Sequence, residues 1–326
     1  MKRLLVGALA AMLAGATLPQ GAAAAQTLFW AESTGIRQSG PIGTAAADVV
    51  AGWPDGVAIN ASGTRLYWTD NPPFGSPLPG RIRWSSLDGT QGDFLVSSLG
   101  YPLGIALEPP GMLPVVPKMF WADGGGDIRR ANIDGSNPEI LVKGLTSPYG
   151  VALDPLARKV YWTRNAVAPG TVAIGRANFD GSGAEGLVKN LDGQTTGIAL
   201  DVDAGKMYWG YVDPYIDSIR PGLIMRADLD GSDAETVVSG LVYPAGVALD
   251  TGAGFLYWTD TGFGLTGGSV GRAYLDGSGV ETLLTGLSSP RGLAILAPEP
   301  ATLALAAAGG LGLLMRRQRG RLTHPA

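Results

Sequence analysis

Short apolar runs alternate with glycine, proline and aspartate along most of this chain. One run recurs six times around a tryptophan: Leu28-Phe29-Trp30-Ala31-Glu32, Leu66-Tyr67-Trp68-Thr69-Asp70, Met119-Phe120-Trp121-Ala122-Asp123, Val160-Tyr161-Trp162-Thr163-Arg164, Met207-Tyr208-Trp209-Gly210-Tyr211 and Leu256-Tyr257-Trp258-Thr259-Asp260. The tryptophans are 38, 53, 41, 47 and 49 residues apart. Before all but the first lies a Gly-Val-Ala-type run, such as Gly56-Val57-Ala58-Ile59 or Gly246-Val247-Ala248-Leu249. After the aromatic run comes a segment ending in Asp-Gly, at Asp88-Gly89, Asp134-Gly135, Asp180-Gly181, Asp230-Gly231 and Asp276-Gly277. Asp-Gly suits a tight hairpin because the turn needs positive φ, which glycine adopts cheaply. A fourth run follows, such as Glu139-Ile140-Leu141-Val142. Runs this short, rich in Val, Ile, Tyr and Trp, suit half-buried strands. Four of them repeating every ~40–50 residues predict a β-propeller with one repeat per blade.

The expected fold is all-β: six blades of four antiparallel strands. No Gly-Val-Ala strand precedes Leu28, and the missing copy stands at the far end as Gly292-Leu293-Ala294-Ile295. The last strand is thus expected to complete the first blade and to hide the sheet edges. That blade lacks Asp-Gly and carries Ser39-Gly40 instead.

The repeat resembles the low-density lipoprotein receptor class B repeat, named for its Tyr-Trp-Thr-Asp signature. The resemblance covers about residues 28–296. The runs ending at Asp70 and Asp260 match it in full, whereas Arg164 and Tyr211 replace the acidic residue. The resemblance implies that Asp70, Asp123 and Asp260 help tie neighbouring blades together.

Both ends carry a different pattern. Met1-Lys2-Arg3, an apolar stretch over residues 4–18 and the small run 22–25 form a secretory signal peptide pattern, residues 1–25, with cleavage expected before Gln26. The propeller is expected over 26–297. Residues 298–326 begin with Pro298-Glu299-Pro300, continue with an apolar run at 301–315 and end in Arg316, Arg317, Arg319 and Arg321. This arrangement resembles the PEP-CTERM sorting signal of Gram-negative bacteria, which implies a short transmembrane helix and processing by an exosortase, a membrane-embedded cysteine transpeptidase. At ~1.5 Å per residue the run is about 22 Å long, against a ~30 Å hydrocarbon core. Snorkelling arginines on the cytoplasmic side make up the difference. The expected route is export through the inner membrane to the cell surface or extracellular matrix, with signal peptidase and exosortase as processing partners.

Composition narrows the chemistry. There is no cysteine, and the one histidine is His324, in the sorting tail. A domain without either has no Ser-His-Asp triad, no Cys-His dyad and no His-ligated zinc. Residues 26–297 hold 18 basic and 27 acidic side chains, a net charge near −9. So acidic a body is a poor partner for nucleic acid. The acidic stretches around Asp201-Val202-Asp203 and Asp228-Leu229-Asp230 do not fit a calcium loop, because glycine falls in the wrong place. No cofactor is expected, with calcium the one ion left open.

Strand order puts the loops after strand 2 and after strand 4 on one face of the disc. That face is expected to carry the long insertions 71–80, 165–171, 211–221 and 261–268. It also carries corners presenting Trp53, Tyr101, Tyr149, Tyr243 and Arg291. The fifth-blade loop adds Tyr211, Asp213, Tyr215, Asp217 and Arg220, with Phe74 and Phe263 elsewhere on the rim. Aromatic and acidic groups on one face suit a glycan or peptide surface. The alternative for the corner tyrosines is that they plug gaps between blades. The leading functional reading is a binding module for an extracellular polysaccharide or surface protein. The alternatives are a calcium-dependent lactonase-type propeller enzyme and a purely structural matrix component. For the enzyme, no motif places an acidic residue at the channel mouth.

Overall fold

The computed structural model describes residues 26–40, 46–73, 75–110, 116–164, 171–189, 191, 193–213, 221–262 and 267–296. They form six sheets of four antiparallel strands, arranged as the blades of a propeller. Blades two to six each run outward in chain order from an inner strand. The inner strands are Pro54–Ile59, Pro102–Leu107, Pro148–Asp154, Gln194–Asp201 and Pro244–Asp250. Blade one is assembled from both ends of the ring. Its inner strand is Leu293–Leu296, which pairs with Thr27–Glu32 from Thr27↔Leu296 to Trp30↔Leu293. The closure expected from the displaced repeat is therefore the observed one.

The core is not central but divided among the six junctions between blades. Each junction is one apolar cluster built from two neighbouring blades. Leu103, Phe120 and Ile128 of blade three meet Val151, Val160 and Trp162 of blade four, for example. The seam between blades six and one is filled in the same way, by Tyr257, Val270 and Leu287 against Leu28, Trp30 and Leu293. The aromatic strands lie second from the axis, so Trp30, Trp68, Trp121 and Trp209 are buried on both faces. Interior packing of this density is what makes single-atom changes costly.

Glycine is required where backbones cross closely. A Cβ on Gly104 would lie 2.7 Å from Tyr149 O and 2.8 Å from Gly150 Cα. Gly150 meets the backbone of Thr196 in turn, and Gly56, Gly197, Gly246 and Gly292 repeat the relation around the axis. Six glycines thus allow six inner strands to converge. Further out, the glycine of each Asp-Gly turn has positive φ and faces the outer strand of the preceding blade. Gly135, at φ 85°, would place a Cβ 2.3 Å from Leu95 O.

Candidate functional site

The inner strands begin with Trp53-Pro54-Asp55-Gly56, Tyr101-Pro102-Leu103-Gly104, Ser147-Pro148-Tyr149-Gly150, Gln194-Thr195-Thr196-Gly197, Tyr243-Pro244-Ala245-Gly246 and Ser289-Pro290-Arg291-Gly292. Each corner supplies two kinds of position. The residue just before the glycine stands nearest the axis: Asp55, Leu103, Tyr149, Thr196, Ala245 and Arg291. The residue two earlier stands outside it: Trp53, Tyr101, Ser147, Gln194, Tyr243 and Ser289.

The signature residues hold these corners. Thr69 Oγ1 accepts from Gly56 N at 2.9 Å and donates to Leu103 O of the next blade at 2.7 Å. Thr163 and Thr259 link their blades onward in the same way, to Thr196 O and Arg291 O. Blade five has Gly210 instead, and the space holds the Thr196 hydroxyl, which donates to Pro244 O at 2.6 Å. The signature aspartates act on the chain that joins two blades. Asp70 Oδ1 accepts from Trp53 N at 2.8 Å, and Asp260 accepts from Val242 N and Tyr243 N, both at 2.8 Å. Asp123 accepts from Tyr101 N at 3.3 Å. Where the acid is missing the contacts differ. Thr195 of the next corner bonds both the N–H and the carbonyl of Arg164, and the Tyr211 ring lies against Gly193.

The corner face carries two adjoining cavities. One, of about 560 Å³ over the axis, is lined by Asp55, Tyr101, Leu103, Tyr149, Tyr243, Thr261, Ser289 and Arg291. The other, of about 640 Å³ over blade two, is walled by Trp53, Tyr101, Asn71, Pro73, Leu78 and Arg291 among others. Beneath the axial cavity the glycine ring and Val57, Ile105, Val151, Ile198, Val247 and Leu293 narrow the channel to about 60 Å³. A ligand of ordinary size entering from this face stops there.

An ion pair forms the floor of the axial cavity. Arg291 Nη1 donates to Asp55 Oδ2 at 2.6 Å. Asp55 is 3% exposed. Burial raises its carboxyl pKa, against the downward pull of Arg291 and of a hydrogen bond from Tyr149. Arg291 is pushed up by the Asp55 charge and keeps its proton throughout. Burial and the Asp55 charge push the Tyr149 phenol well above its usual range, and Tyr243 shifts the same way. Both therefore remain neutral hydroxyls. Tyr243 donates to Gln194 Oε1 at 3.0 Å.

The structure brings Trp53, Tyr101, Tyr149, Tyr243 and Arg291 to one face, in two roles. Trp53 and Tyr101 are 40% and 48% exposed, whereas Tyr149 and Tyr243 are partly buried around the ion pair. Tyr211 packs into the cluster between blades four and five, and Asp213 sits half-buried at the end of that strand. Tyr215, Asp217 and Arg220 lie outside the described residues, as do Phe74, Phe263, Pro298, Glu299, Pro300, Arg316 and Arg317. So does the apolar run 301–315. Among the described residues no helix is long and apolar enough to cross a membrane.

One correction concerns the channel mouth, where the sequence shows no motif placing an acid. Asp55 stands there. The signal was the register of the corners: the residue before each ring glycine faces the axis, and in blade two it is aspartate. Among the described residues no three carboxylates gather in a way that could hold a metal ion.

Residues 296–319 match the model of the PEP-CTERM protein-sorting motif. The chain carries an exosortase sorting signal. It is therefore an exported protein of the Gram-negative type of cell envelope. A 68-residue part is 40% identical to low-density lipoprotein receptor-related protein 1 of Pyricularia oryzae, covering 20% of this chain and 22% of that protein. The matched part thus spans about a fifth of that relative. Among solved structures, a chain of a nidogen/laminin complex superposes with a TM-score of 0.67 at 24% identity, covering 84% of this chain and 98% of that one. TolB from Acinetobacter baumannii gives 0.65 at 12% identity, covering 86% and 68%. The GH74 enzyme of Niastella koreensis gives 0.59 at 13%, covering 78% and 43%. Likeness at this level shows the propeller fold, which hosts both binding proteins and enzymes.

Proposed function

We propose that this exported protein is a binding module of the cell envelope, and that its ligand seats on the corner face. In this reading residues 1–25 are a signal peptide, 26–297 the propeller and 298–326 a tail that exosortase removes or transfers. The observation that carries the proposal is the pairing of a sorting signal with a face on which exposed Trp53 and Tyr101 border two cavities. Rings exposed on a rigid scaffold supply contact area at small entropic cost, and Trp and Tyr dominate many binding surfaces. A hydrolase of the carboxylate type would need free acids at the channel mouth, whereas Asp55 is buried and bound to Arg291. Calorimetric titration with the producer's extracellular polysaccharide and with its solubilised surface proteins tests the proposal. Saturable heat that falls when Trp53 and Tyr101 are both replaced by Ala is expected. Titrations indifferent to that double substitution would remove this face from the account.

A further inference from the structure

The two cavities share Tyr101 and Arg291, so they adjoin along one groove from the axis toward blade two. Each has a volume typical of a small-ligand site, ~300–1,000 Å³. The groove's lining decides what fits. Among the described residues its charged side chains are Asp55 and Arg291, and they neutralise each other at 2.6 Å. An anionic polymer would approach an acidic body and find a guanidinium already committed to a carboxylate. A cationic ligand would find that carboxylate 3% exposed. Both face an unfavourable balance of charge and desolvation.

What the groove does offer is neutral. Ser33, Ser76, Thr261 and Ser289 contribute hydroxyls, and Tyr149 and Tyr243 keep their protons. Arg291 spends Nη1 on Asp55 and, at 44% exposure of its side chain, has further N–H donors on the solvent side. Asn71 is 8% exposed and donates to Pro102 O at 2.6 Å, so it builds the wall of the groove. Trp53 and Tyr101 occupy equivalent corners of adjacent blades, and both wall the blade-two cavity with exposed rings. Flat apolar faces beside scattered donors and acceptors match a sugar ring, which has an apolar C–H face and a rim of hydroxyls.

We infer that this groove holds a chain of neutral sugars, with Trp53 and Tyr101 as stacking surfaces and the Asp55-fixed guanidinium of Arg291 donating to sugar hydroxyls. The inference rests on the binding reading above and names its ligand class. The pairing with Asp55 makes Arg291 a preorganised donor, because its rotamer is set before a ligand arrives.

The test uses the full chain in mild detergent. It is titrated with neutral gluco-, manno- and galacto-oligosaccharides and with oligogalacturonate, read by calorimetry and tryptophan fluorescence. Saturable binding of a neutral oligosaccharide is expected, weakened roughly tenfold or more by Trp53→Ala or Tyr101→Ala alone. Leu156→Ala, in the turn on the opposite face, should leave binding unchanged. Unaltered melting temperatures of the variants would show that folding is intact. Preference for oligogalacturonate, or neutral binding indifferent to both substitutions, would overturn the inference. An acidic sugar or a surface protein whose binding needs Trp53 would overturn the neutral-sugar assignment and leave the binding module standing. If no ligand of any class responds to Trp53 and Tyr101, both readings fall.

Discussion

Arg291 and Asp55 lie 236 residues apart in sequence and join at 2.6 Å across the seam where the ring closes. Arg291 precedes the strand that completes blade one, and Asp55 opens blade two. The backbone repeats the link, since Gly292 N donates to Asp55 O at 2.8 Å. A buried carboxylate at a seam is stable only with its partner, because removing one member strands the other charge in a poorly solvated place. The pair thus fastens the closure and shapes the candidate site at once.

Arg291→Ala should therefore destabilise the ring by about 2 kcal/mol, less than a fully buried pair because Arg291 is half exposed. Adding Asp55→Asn should restore part of the loss. Urea unfolding measures both, and equal stability of the single and double variants would contradict the role of the stranded carboxylate.

Thr69→Val removes a hydroxyl that serves Gly56 N and Leu103 O together. Two buried backbone groups lose their partner for a nearly isosteric change. A cost of about 2–3 kcal/mol is expected at this blade junction. Hydrogen exchange should locate the loosening in the inner strands of blades two and three, and a uniform effect over the ring would argue against a local link.

Gly104→Ala is expected to cost about 3 kcal/mol, because its Cβ would meet backbone rather than a movable side chain. Gly205→Ala, in a turn with open space around it, should cost less, through its φ of 68° alone. Thermal melts of the two variants side by side check the ranking.

Asp134, Asp180, Asp230 and Asp276 each accept from the serine two residues on, through its hydroxyl and its N–H, and this lowers their pKa. Asp88 is lowered by Ser86 and Thr90. A carboxylate depressed in the folded state stabilises it above the unfolded pKa, ~3.9 for aspartate, and loses that contribution as pH falls through the folded value. Asp55 is raised and acts with the opposite sign. The turns should draw the melting temperature down as pH drops below about 4. Ser278→Ala should flatten that fall, and a melting temperature constant down to pH 3 would refute the linkage.

Tyr211→Ala should lower stability by about 2 kcal/mol, since the ring packs on Gly193 and into the junction of blades four and five. A folded variant of unchanged stability would return Tyr211 to the exposed loop in which the sequence places it.

The blades themselves were legible because each is a local object. Apolar runs, Asp-Gly turns and the aromatic signature lie within one period, and a displaced last strand announces closure when copies are counted. The roles of the corner aromatics were not separable in this way. Tyr149 and Tyr101 look alike beside their prolines, yet one stands just before a ring glycine and the other two places earlier. That offset sets one beside the axis and the other on the exposed rim.

The sequence by itself determined six blades, the strand that closes them and the sorting signal, because strand periodicity and turn chemistry act between near neighbours in the chain. The tertiary structure decided that Asp55 meets Arg291, that Trp53 and Tyr101 share a cavity wall, and that Tyr211 is packing. Each of those contacts joins different blades, or a strand to a distant corner. Their separation is fixed only when six converging glycine backbones set the radius of the ring.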